Sequence, residues 1–123
     1  MKRFKIPIFT SEYFVNVIIG TREEIDKEIK KYGHSLEWRR GMAINLLLRD
    51  SECLHPLIVI DGDIPANHAL ATIAHEAAHA LDYIIEFIGM DDRSGEFRAH
   101  GIAEIMRQTT KVILGDVIKK KKH

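Results

Sequence analysis

Ala74-His75-Glu76-Ala77-Ala78-His79-Ala80 is the stretch on which the reading of this chain turns. It carries the pattern His-Glu-x-x-His. On a helix, residues four apart lie on one face, so His75 and His79 point the same way, one turn apart. Two imidazoles on one face can bind one metal ion from the same side. Glu76 projects beside that face, where a carboxylate can hold and deprotonate a water. With seven His in 123 residues, the pattern arises by chance in roughly 3 per cent of such chains. That risk is low enough for the flanking sequence to decide.

The flanks favour a helix. Ala69 to Ile88 contains no Pro or Gly and is rich in Ala, Leu and Ile. Leu70, Ile73, Ala74, Ala77, Ala78, Leu81, Ile84, Ile85 and Ile88 make it apolar nearly all round, which predicts a buried helix. Two His and a Glu in such a helix are costly unless something satisfies them. The competing reading is two core histidines bonded to backbone or carboxylates, with Glu76 at the helix surface.

Composition bounds the rest. A chain of 123 residues, 46% hydrophobic and 29% charged, reads as one soluble globular domain spanning residues 1–123. Zero formal net charge gives no support to nucleic-acid binding through a basic field. The basic run Lys119 to Lys122 reads as a solvated end. Cys53 is the only cysteine, which fits a reducing, cytoplasmic compartment. Pro7, Thr10-Ser11-Glu12 and Asn16 break the first apolar stretch, so it is no signal-peptide core. The longest apolar segment contains His75, Glu76, His79, Asp82 and Glu86 and is no membrane span. A chain this short with so much apolar surface is a candidate homodimer.

Phe4 to Phe9 and Tyr13 to Ile19 read as two strands about a Thr10-Ser11 turn. Thr21-Arg22-Glu23-Glu24 is a capping box. It opens a helix with Ile25, Ile29 and Tyr32 on one face and Gly33 as its stop. Met42 to Leu48 and Leu57 to Ile60 read as two further strands. The His-Glu helix runs from about Pro65 to Phe87, stopped by Gly89. Ser94 or Gly95 starts a last helix, which ends near Leu114 before Gly115. The predicted order is β-β-α-β-β-α-α. The fold class is α+β, a small antiparallel or mixed sheet of about four strands on the central His-Glu helix.

Two His do not complete a catalytic zinc site, which usually takes three protein ligands and leaves a position for water. The last helix follows a short loop and can pack back against the motif helix. Glu96 and His100 lie on one face of its first turns, and small Ala99 beside them allows close approach. Glu96 is ranked first as third ligand. His100 is second, as an alternative ligand or a partner that orients one. The bland reading of Glu96 is an acid favoured by the helix dipole. Asp82 is placed either to take the free ring N–H of a ligand His or as a surface acid. His68, two turns before His75, reads as a surface residue. Cys53 and His55 lack a second pair and read as a buried thiol and a loop His.

The motif followed by Glu96-Phe97-Arg98-Ala99-His100 resembles the gluzincin pattern, His-Glu-x-x-His then Glu-x-x-Ala. It is similar in outline to ImmA/IrrE-type regulatory metallopeptidases, and closer to small zincin-like metallopeptidases of phages and prophages. The resemblance covers about Leu57 to Met106. It implies a minimal zincin-like domain with one Zn2+ per chain, held by His75, His79 and Glu96, with Glu76 as the base. It implies a hydrolase acting on a peptide or protein substrate in the host cytoplasm, with strand Met42 to Leu48 or Leu57 to Ile60 aligning that substrate. His100 departs from the relatives' usual residue. The alternative is a non-catalytic zincin-like module that recognises a host or virion protein. A structural zinc domain would want His100 as a fourth ligand.

Overall fold

The computed structural model describes residues 1–8, 13–31, 40–44, 55–93 and 95–121. The element order is β1 (Lys2–Pro7), β2 (Phe14–Gly20), α1 (Arg22–Lys30), β3 (Gly41–Ile44), β4 (Leu57–Asp61), α2 (Ala66–Ile88) and α3 (Glu96–Lys121). This is the predicted α+β order. Four strands form one mixed sheet in the order β1-β2-β4-β3. β1 and β2 pair antiparallel, Phe4 opposite Val17. β2 and β4 run parallel, Val17 beside Ile58. β3 closes the other side antiparallel to β4, Ala43 opposite Ile58. Predicted features at Phe9 to Glu12, Tyr32 and Gly33, Cys53, Ser94 and Lys122 lie outside the described residues, as does Met42 to Leu48 beyond Ile44.

The sheet is covered on both faces, as the apolar residues on both sides of Tyr13 to Ile19 suggest, and the second layer is α1. Strand residues alternate between faces. Val15, Val17, Ile58 and Ile60 therefore join Ile73, Ala77, Ala80, Leu81 and Ile84 of α2 in one core. Ile18, Ile44, Leu57 and Val59 face the other way and pack with Ile25 and Ile29 of α1. This explains why β4, Leu57-Ile58-Val59-Ile60, is an unbroken apolar run: a strand buried on both sides has no polar face to show. α1 starts as predicted. The Thr21 hydroxyl accepts from the Glu24 amide at 3.2 Å, and the Glu24 carboxylate accepts from the Thr21 amide at 2.9 Å.

α2 is amphipathic instead of buried all round. Ala69, Ile73, Glu76, Ala77, Ala80, Leu81 and Ile84 are buried, while His75, His79, Asp82 and Glu86 are exposed. Leu70 at 53% and Phe87 and Ile88 at 40% are left partly in water. Apolar composition alone did not reveal this face. α2 ends as expected, with Gly89 left-handed at φ 71° and its N–H on the Ile85 carbonyl.

α3 is capped by Asp92. Its carboxylate accepts from the amides of Phe97 and Arg98, each at 3.2 Å. Gly115 does not stop this helix, which runs on to Lys121; a lone Gly inside a helix costs only about 1 kcal/mol. Close approach to α2 is made at Gly101, not at Ala99, which is exposed. A Cβ on Gly101 would meet Leu81 Cγ at 2.8 Å. Leu81 is fully buried and cannot swing aside.

Glu28, buried on α1, ties β1 to that helix. It accepts from Arg3 Nη2 at 2.6 Å and from Lys31 Nζ at 3.2 Å. The Arg3 hydrogen bond, helped by Lys31, holds the Glu28 carboxyl below its ordinary value against the opposing effect of burial.

Two outcomes follow from these contacts. Gly101→Ala should lower stability by about 1–3 kcal/mol through overpacking, despite the better helix former, as read by urea unfolding. The Glu28 contribution should be fully present above the ordinary carboxylate value of 4.5, and be lost as pH falls through the depressed folded value. Arg3→Ala should therefore flatten acid unfolding below that pH and cost about 1–3 kcal/mol at neutral pH.

Candidate metal and catalytic site

α2 presents three consecutive turns of one face: His75, His79 and Tyr83. The imidazoles of His75 and His79 converge, with Nε2 to Nε2 at 3.2 Å. Their rings stand edge to face, 79° apart. Two nitrogens that bind one tetrahedral zinc at ~2.0–2.1 Å lie about 3.3 Å apart. The donor set and spacing of this pair thus fit a shared ion. The Tyr83 ring lies nearly parallel to that of His79, with centroids 6.5 Å apart.

Glu76 sits on the inner side of the pair. It is only 8% exposed, and its Oε1 is 3.9 Å from His75 Nε2. Burial pushes its carboxyl above the ordinary value; His75, His79 and a hydrogen bond from the Ala43 backbone amide pull it back. The bland expectation of a surface Glu76 is therefore not what the fold provides. The carboxylate thus lies buried beside the imidazole pair.

The Ala43 amide belongs to β3, the edge strand. Asp61 N–H bonds the Arg40 carbonyl at 2.9 Å, and the β3–β4 register continues from there. Antiparallel ladders alternate, so the N–H and C=O of Gly41 and Ala43 turn outward. At Ala43 both are taken by α2: the N–H by Glu76 and the C=O by the Tyr83 hydroxyl at 3.4 Å. Burial raises the Tyr83 phenol, and the charges of Glu76 and Asp82 add to the rise, which keeps it a neutral donor. Tyr83 is the site residue that the motif did not single out. Its spacing, four residues after His79, was the available signal.

Beside the motif, between the start of β3 and α2, lies an open cleft of about 480 Å³ lined by Arg40, Gly41, Ala71, Thr72, His75 and Glu76. Gly41 permits it. A Cβ there would meet Thr72 Cγ2 at 2.9 Å and the Val59 carbonyl oxygen at 3.1 Å.

The other candidates fall elsewhere. Glu96 Oε2 pairs with His100 Nε2 at 3.2 Å on the exposed side of the first turns of α3. His100 lines a separate hollow with Pro7, Ile8, Gly101 and Glu104. Among the described residues no group of three or more His, Cys, Asp and Glu is placed to hold a metal. Asp82 bonds Arg98 at 2.8 Å, and so tethers α3 to α2. His68 is exposed, as read. His55 is structural: its Nδ1 accepts from the Phe14 amide at 3.1 Å. No helix among the described residues is long and apolar enough to cross a membrane.

Compared with protein-family models, curated proteins and solved structures, the chain matches none. The site rests on its own geometry.

Gly41→Ala should push the start of β3 off α2 and lower stability by about 1–3 kcal/mol. Thr72→Ser removes the Cγ2 that the new methyl meets. The double variant should then recover part of the loss, a coupling readable from urea midpoints of the four proteins.

Proposed function

We propose that the chain is a small zinc-dependent peptide hydrolase of the zincin type. The observation that carries this is the convergence of His75 and His79 at 3.2 Å beside a buried Glu76. His75 and His79 would hold one zinc per chain through their Nε2 atoms. Bound there, zinc would polarise a substrate carbonyl and ease deprotonation of a water. Glu76 would take the proton of the attacking water and return it to the departing amine as the C–N bond breaks. The Ala43 amide would hold the Glu76 carboxylate toward the pair, while Tyr83 holds the Ala43 carbonyl.

Glu96 is the proposed third ligand, carried on the first turn of α3 and assigned from the motif pattern. Its present partner is His100, so that assignment needs its own test. β3 is the strand that would align a substrate, since β4 lies between β2 and β3 and has no open edge. A phage origin and a cytoplasmic setting belong to the same proposal.

A second reading, a zincin-like module that binds a protein partner without cutting it, is favoured by one fact. Among the described residues, the His pair is joined by no third metal donor.

Four variants separate these. The purified protein should carry about one zinc, and His79→Ala should lose it; full occupancy in that variant removes the site. Glu76→Gln should keep zinc and fold but lose hydrolysis of an unstructured protein substrate. If zinc goes as well, Glu76 is a ligand. Glu96→Ala should weaken zinc more than His100→Ala in a chelator competition, where loss of a mere orienting residue costs about 10–100-fold. The reverse order would make His100 the third ligand.

A further inference from the structure

We infer that the cleft beside the motif is a subsite for the carboxy-terminal end of a peptide, with Arg40 binding its terminal carboxylate and Gly41 its backbone. This deepens the proposed reading, since it concerns the same site, but the binding it describes needs neither metal nor catalysis.

The argument starts from the edge strand. A peptide that adds to β3 must use the outward N–H and C=O groups of alternate residues. Within Gly41–Ile44 these belong to Gly41 and Ala43. Ala43 is closed, because Glu76 and Tyr83 already hold its amide and carbonyl. Gly41 lines the cleft and is open to it. Along the described residues of this edge a docking strand therefore gains one ladder residue, and the cleft suits the end of a chain better than its middle.

Strand direction then selects which end. In an antiparallel arrangement the peptide runs from the Ala43 side toward Arg40, so its carboxy terminus arrives at the guanidinium. In a parallel arrangement the amino terminus arrives there and an ammonium meets a cation. Arg40 is exposed, lines the cleft, and is in no ion pair among the described residues. A guanidinium offers a planar fork of donors that matches a carboxylate. Charge thus favours the antiparallel mode with a free carboxylate at Arg40, and leaves the preceding peptide bond on the side of His75 and Glu76.

A carboxylate can also come from an acidic side chain, and the test separates the two sources. Three dansyl probes are compared by fluorescence anisotropy: dansyl-Ala-Ala-Ala as the free acid, the same peptide as its carboxy-terminal amide, and dansyl-Ala-Glu-Ala amide. Each is titrated with the protein as purified and again after chelation, when nothing is cut. The free acid should bind about tenfold tighter than its amide, the discrimination expected of one charge-assisted contact. Added salt should shrink that ratio. In Arg40→Ala, checked for an unchanged circular dichroism spectrum, the ratio should fall to about one, with Arg40→Lys between. Equal binding of acid and amide by the wild type overturns the inference, as does an undiminished ratio in Arg40→Ala. If the Glu-containing amide binds as tightly as the free acid, the site reads any carboxylate and the chain-end assignment fails. A preserved ratio in protein that carries no zinc and cuts nothing would remove the catalytic reading and leave this one standing.

Discussion

A carboxylate taken out of water needs a donor, and for Glu76 that donor is the amide of Ala43. Much of the architecture around the site can be traced from this bond. It requires an edge strand, because an interior strand would have spent its amide on a neighbour. It requires that edge to approach α2 closely, which Gly41 allows against Thr72. It also requires the residue to hold its angle, and Tyr83 takes the carbonyl of the same residue, in the next peptide group. Helix and strand are thus joined by polar contacts at the margin of the apolar core of Ile73, Ala77 and Ile84, against which Ala43 and Tyr83 also pack.

Much of the fold was legible in the sequence because its signals are local. The Thr21–Glu24 box, the left-handed Gly89 and the apolar run of β4 each act within a few residues, and all are found where they were read. What the sequence hid depends on partners distant in the chain. The exposed face of α2 was masked by Leu70, Phe87 and Ile88, apolar residues that the fold leaves partly in water. The helix crossing was assigned to Ala99 because small residues look alike until a partner is known; Leu81 selects Gly101. Asp92 caps α3 across a loop whose geometry no pattern announces.

The site divides in the same way. His75, His79 and Glu76 are set by helix periodicity, so their grouping is visible from spacing alone. The part supplied by other elements is not. Asp82 lies on the same helix as the pair, yet it turns to Arg98. Glu96 and His100 satisfy each other one turn apart on α3. Gly41 and Ala43 come from a short strand whose pairing partner, β4, is more than a dozen residues away, and Arg40 is the residue before that strand. Only the assembled sheet shows that β3 is the edge and that its ladder groups face the motif.

The sheet has a second edge, and the two are guarded by unlike means. β1 carries exposed charges at Lys2, Arg3 and Lys5, and ends in an exposed Pro7. Such charges and prolines discourage the pairing of one sheet with another. β3 carries no such charges along Gly41–Ile44. Its protection is the pair of side chains from α2 that occupy Ala43. Protection by charge fades in high salt, whereas protection by occupied hydrogen bonds does not. Drawing Glu76 and Tyr83 away from Ala43 would uncover its outward amide and carbonyl, so among the described residues the contacts that shape the site are also those that occupy this edge.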